Sequence, residues 1–147
     1  MRKPRSGRKK LPTLAALKRK AWNFLSQCIR REAADENGMV TCYTSGTVAH
    51  WKEMQAGHAI GGRTGAVLFD EEIIRPQSYR ENVALRGNYP VFTTKLIKEY
   101  ANEIAEGDLG EAMRWWEGKL RDSRQVRKWS RSELEALISS YKARLSP

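Results

Sequence analysis

Between Val40 and Asn88 every apolar run is too short for a helix, while the stretches on either side repeat apolar side chains at helical spacing. That change of period restricts the fold more than any other feature. Inside the segment, Val40, Cys42 and Tyr43 lead into a turn at Ser45 and Gly46. Val67, Leu68 and Phe69 follow a glycine-rich loop formed by Gly61, Gly62, Arg63, Thr64 and Gly65. Short runs bounded by turn residues predict strands. Residues 79–86, closed by Gly87, predict a helix, so the segment reads as a ββα unit.

Upstream, Leu14, Leu17, Ala21, Phe24 and Cys28 recur every three or four residues, with Trp22, Leu25 and Ile29 widening the face. Pro12 suits the first turn of that helix, which is expected to run to about Ala34. The cluster Asp35, Glu36, Asn37, Gly38 ends it. Downstream, Pro90 opens a helix containing Leu96, Ile97, Tyr100 and Ile104, and further helices are expected over residues 109–120 and 131–145. Ser130 and Glu133 form a capping box for the last, whose buried face is Leu134, Leu137, Ile138 and Tyr141. The expected class is α+β, a small ββα core surrounded by helices. It divides into a basic flexible tail over residues 1–10, an N-terminal helix over 11–36, the core over 37–89 and a helical region over 90–147.

The chain has 147 residues and a formal net charge of +10. Nine cations and no acid occur in the first twenty residues: Arg2, Lys3, Arg5, Arg8, Lys9, Lys10, Lys18, Arg19 and Lys20. Arg114, Lys119, Arg121, Arg124, Arg127, Lys128 and Arg131 form a second basic stretch. Phosphate is the natural counterpart of such a surface, and the alternative is a solvated, solubilising face. No apolar run approaches the ~20 residues of a membrane span, and the N-terminus lacks the apolar stretch of a secretory signal, so an intracellular protein with no membrane partner is expected. The two cysteines, Cys28 and Cys42, read as free thiols in that setting.

Three stretches occur in order: TCYTSG, then AGHAIGGRTGAVLFDEEIIRPQ, then SYRENVALRGN. This arrangement resembles the NinG (Rap) recombination family of lambdoid phages, HNH-type nucleases in which CxxCG, GH, QCxxCN and SGN follow one another at similar spacing. GNYPVFTTKLIKEY and KWSRSELEALISSYKARL are similar to further family segments, so the resemblance covers roughly residues 15–145. It implies a phage recombination protein that binds branched DNA and acts as a Holliday-junction type endonuclease with magnesium or manganese, in the cytoplasm of a bacterial host. A homodimer is expected, because a four-way junction offers two symmetric cutting positions. The alternative is a catalytically inactive DNA-binding accessory protein on the same scaffold, and charge alone would also admit an RNA-binding protein.

The resemblance assigns His58 as general base and Asn82 as ligand of the divalent cation, with Arg63 and Gln77 as phosphate contacts beside them. It gives no role to His50. Phosphodiester hydrolysis needs a water activated by a base and a cation to neutralise charge on the phosphoryl oxygens. Further DNA contacts are expected from Arg2, Lys3, Arg5, Arg8, Lys9, Lys10, Arg121, Arg124, Arg127 and Lys128. The five tryptophans, Trp22, Trp51, Trp115, Trp116 and Trp129, are expected in the core or at interfaces.

The chain departs from the family at two places. The four zinc-knuckle cysteine positions hold Cys42, Ser45, Ser78 and Glu81, and neutral hydroxyls are poor zinc ligands, so the structural zinc of the family is expected to be lost. Ser45 and Ser78 are then expected to donate to the Glu81 carboxylate, with the terminal helices holding the knuckle shut. The second departure is Ile73, which stands where the family has the middle asparagine of its motif and cannot make that residue's hydrogen bonds.

Overall fold

The computed structural model describes residues 7–61 and 65–147. Residues 7–13 are exposed and form no regular element, and Thr13 opens helix α1 (Leu14–Glu32) by accepting from the Ala16 amide at 3.1 Å. Pro12 thus precedes the cap instead of lying in the first turn. The buried stripe of α1 is Leu17, Ala21, Leu25 and Cys28, as the helical period predicts. Asp35 then accepts from the amides of Asn37 and Met39, each at 2.9 Å, and Gly38 takes φ +77°, a turn open to glycine at little steric cost.

Two small antiparallel hairpins follow. Strand β1 (Met39–Thr41) pairs with β2 (Val48–His50), Val40 opposite Ala49. Strand β3 (Gln55–His58) pairs with β4 (Ile74–Gln77), Gly57 opposite Arg75 and His58 opposite Ile74. A short π-helical turn, Arg80–Ala84, follows β4, where residues 79–86 were expected to be helical. The strand expected at Val67, Leu68 and Phe69 is instead a turn. Val67 is buried in the core and Phe69 packs against it, and a short apolar run marks burial without specifying a strand. The partner that does pair, Ile-Arg-Pro-Gln, hides behind its proline; Pro76 is tolerated because in a two-stranded sheet every strand is an edge.

Helix α2 (Tyr89–Glu103) lies against α3 (Leu109–Ser123), with Tyr100 and Trp115 stacked at 4.4 Å and an interplanar angle of 12°. Helix α4 (Arg131–Leu145) begins with the expected capping box: the Glu133 amide donates to Ser130 Oγ at 3.2 Å, and that hydroxyl donates to the Glu133 carboxylate at 3.1 Å. Helices α1 and α4, from opposite ends of the chain, pack on each other, and α1 also covers β3 and β4. Leu25, Cys28, Ile73, Ile74, Phe92, Leu96 and Leu134 form the centre of one buried cluster. At its edge, Arg144 of α4 joins Glu32 and Glu71, each at 2.8 Å. The result is a mixed architecture of helices around small antiparallel sheets, and no described helix is long and apolar enough to cross a membrane.

Candidate functional site

Strand β3 ends at His58, and the ladder continues one step further because the Ala59 amide donates to the Ile73 carbonyl at 2.9 Å. One face of the His58 ring stacks on Trp22 of α1, with centroids 4.6 Å apart and planes inclined by 26°. His58 Nε2 lies 2.9 Å from the Leu68 carbonyl oxygen. A carbonyl can only accept, so Nε2 carries the proton and Nδ1 keeps its lone pair. Burial pushes the His58 pKa below its ordinary value, against the opposing pull of the Leu68 carbonyl and the Asp70 charge. The ring is therefore neutral at neutral pH, the form able to take up a proton.

Asn82, on the π-helical turn, lines the same cleft. Its amide nitrogen donates to Gln55 Oε1 at 2.7 Å, which leaves Oδ1 as an oxygen donor directed toward Gly57. A Cβ at Gly57 would lie 1.9 Å from Gln77 Oε1 and 3.0 Å from Asn82 Oδ1, so the residue before His58 must be bare. Gln77 cannot swing aside: it is fully buried, and its Nε2 donates to Thr44 Oγ1 at 3.0 Å and to the Gly87 carbonyl at 2.9 Å. Gly57→Ala is expected to destabilise the protein by about 1–3 kcal/mol through overpacking, measured by urea unfolding, and to displace the Asn82 oxygen.

The cleft has a volume of about 880 Å3. Lys18, Arg19 and Trp22 of α1 border it, together with Arg86 and Tyr89 just beyond Asn82. Arg86 (φ +51°), Gly87 (φ +93°) and Asn88 (φ +47°) are consecutive left-handed residues. They are held there by the Gly87 amide on the Glu81 carbonyl at 2.8 Å, the Gln77 bond to Gly87, and Asn88 Nδ2 on Glu81 Oε2 at 2.8 Å. Lys18 and Trp22 stand four apart, flanking the buried stripe of α1, and Arg86 stands four after Asn82. Those spacings are the only sequence signal that could have added them to the site.

The remaining expected DNA contacts divide. Gln77, expected at the phosphate, is instead the buried clasp just described. Arg127 pairs with Glu133 and covers the Trp129 ring at 4.0 Å, so part of its charge is engaged within the protein. Arg121, Arg124 and Lys128 are exposed and form no ion pair among the described residues. Arg8, Lys9 and Lys10 are exposed on the irregular N-terminal segment, whereas Arg2, Lys3, Arg5 and Arg63 lie outside the described residues. As expected, Trp116 is buried in the core and Trp22, Trp51, Trp115 and Trp129 pack against the buried clusters, Trp22 also bordering the cleft.

The knuckle positions keep a folded turn. Ser78 donates to Cys42 Sγ through its amide at 3.2 Å, and its hydroxyl stands 3.8 Å from the same sulfur. Burial pushes the Cys42 thiol up, but hydrogen bonds from Ser45, Ser78 and Thr44 outweigh it and bring the pKa to about 7. The expected donation from Ser45 and Ser78 to Glu81 is replaced: Thr44 and Asn88 hydrogen-bond that carboxylate and hold its pKa below the ordinary value, while the Ser78 hydroxyl accepts from the Glu81 amide at 3.3 Å. Ser45 is exposed, its hydroxyl 3.1 Å from Thr47 Oγ1. Among the described residues no three His, Cys, Asp or Glu side chains gather where one metal ion could be shared. Because Cys42 and Ser78 already face each other, the combined change Ser45→Cys, Ser78→Cys, Glu81→Cys is expected to create a zinc site. Elemental analysis should then find one zinc per chain, with a Tm rise of at least about 4 °C.

Comparison of the chain with protein-family models, with curated proteins and with solved structures returned no match.

Proposed function

We propose that this protein binds branched DNA and cuts it with the help of a divalent cation, with His58 as general base. The observation that carries this reading is the convergence of His58, from a strand, and Asn82, from the following helical turn, on one cationic cleft, with the His58 Nε2 proton already tied to Leu68. His58 Nδ1 takes the proton of a water as its oxygen attacks the phosphorus, the bond to the leaving deoxyribose oxygen breaks on the opposite side, and that oxygen takes a proton from solvent water. Asn82 Oδ1 is a hard oxygen donor with no hydrogen-bond partner among the described residues, which suits magnesium or manganese. When bound, such an ion neutralises the charge that builds on the phosphoryl oxygens. Lys18, Arg19 and Arg86 hold the strand by its phosphates, and a pair of chains supplies the two cuts a four-way junction needs.

The test is nicking of a labelled four-way junction by the full chain with magnesium, with manganese and with chelator. Metal-dependent cleavage supports the reading. Tight junction binding with no cleavage under any of these conditions supports the accessory, non-catalytic reading, which Ile73 at the family's asparagine position favours. In either case affinity should fall with salt, by a logarithmic slope of about 0.9 per phosphate neutralised.

A further inference from the structure

We infer that the cleft beside His58 receives an unpaired stretch of a DNA strand, and that the ring of Tyr89 is the surface on which one of its bases stacks. The inference rests on the nucleic-acid reading above and names the form of the strand at the site. Tyr89 is the first residue of α2, and its ring lies across two bare stretches of backbone. A Cβ at Gly61 would stand 2.4 Å from the Tyr89 hydroxyl, and one at Gly87 would stand 2.7 Å from its Cε1. The ring thus packs close against backbone that only glycine leaves bare, and 39% of the residue remains exposed at the cleft. Val83, on the turn that carries Asn82, lines the same cleft and is 45% exposed.

Phosphate contacts account for Lys18, Arg19 and Arg86 but give no role to the exposed apolar groups that line the cleft with them. Cations that track a backbone, interleaved with an aromatic platform, are the pattern of single-strand binding. Shape points the same way. A duplex presents its phosphates on a stiff convex cylinder, whereas His58 is half-buried in a concave wall against Trp22. A strand reaches such a position by leaving its partner, at the cost of unstacking, and that cost is least where pairing is already lost, as at a branch.

The experiment is fluorescence anisotropy of the full chain in chelator, at one fixed salt concentration, with a labelled 12-nucleotide single strand and the duplex of the same length. The single strand is expected to bind at least about tenfold more tightly, and Tyr89→Leu to weaken it by about five- to hundredfold while changing duplex affinity by less than about twofold. Tyr89→Phe should bind as the native chain does, since stacking needs the ring and not the hydroxyl. Val83→Ser, at an exposed position that leaves the core intact, should weaken the single strand in the same direction, which keeps the test open if Tyr89→Leu fails to fold. Equal affinity for the two DNAs, or unchanged single-strand binding in both folded variants, overturns the inference. Single-strand preference in a chain that never cuts junctions would sustain it and overturn the nuclease reading; cutting without that preference would do the reverse.

Discussion

Alanine in place of His58 is expected to slow junction cleavage by about 10²- to 10⁴-fold while DNA affinity stays within about twofold. The asymmetry follows from the proposed division of roles: His58 would meet the attacking water, whereas Lys18, Arg19 and Arg86, assigned to phosphate, come from other elements. Single-turnover cleavage and anisotropy on the same junction measure the two effects separately. Cleavage at the native rate by the folded variant would remove His58 from the mechanism.

A pH dependence of definite sign is expected from the same residue. Burial lowers the folded-state pKa of His58 below its ordinary value of 6.5. Cleavage should therefore rise with pH through that depressed value and level off by neutral pH, because the base must be unprotonated. For stability, the unfolded chain takes up the proton first. The contribution of neutral His58 is fully present above 6.5 and is lost as pH falls from there through the folded value. His58→Ala should flatten this part of a stability curve recorded by urea unfolding across pH 4–7, whether or not the protein is a nuclease.

Ile73→Asn is expected to destabilise the protein by about 3–5 kcal/mol and to give no gain in cleavage. Ile73 is fully buried beside Ile74 in the main cluster, so the variant loses apolar contact and buries an amide. An asparagine there would be useful if the loop between β3 and β4 lacked attachment, but its described part is already tied down. Leu68 is held by His58, Gly65 by Trp129 Nε1 at 2.9 Å, and Asp70 by Lys119 at 2.7 Å. Two of those three ties come from α3 and the segment before α4, so an added amide would meet a loop whose described part is already anchored. Urea unfolding measures the loss, and a variant of native stability that cut faster would show that these ties leave the loop free.

How far the molecule could be read in advance depended on what kind of order each part uses. Helices α1, α2, α3 and α4 were legible because burying one face of a helix imposes a repeat along the chain, and the Ser130 and Glu133 cap marked a boundary by local hydrogen bonding. The strands were less so. β3 reads Gln-Ala-Gly-His and β4 reads Ile-Arg-Pro-Gln, and neither alternates, because their side chains are divided among the core, the buried Gln77 clasp and the cleft. The apolar run at Val67, Leu68 and Phe69 looked more like a strand than either of them.

By itself the sequence determined the four long helices and the excess of positive charge, while His58 and Asn82 became candidates only through the order of short motifs that resembles a known family. Each of these is local: a repeat, a composition or a spacing that survives without knowing what lies opposite. The tertiary structure alone decided that Trp22, Lys18 and Arg19 border the cleft, that Arg86 and Tyr89 meet them there, and that Gln77 turns inward as a clasp. Those facts depend on which face of α1 docks on the hairpin and on three left-handed residues at the start of α2. Contacts between segments some sixty residues apart leave no period in the chain, so only their packing reveals them.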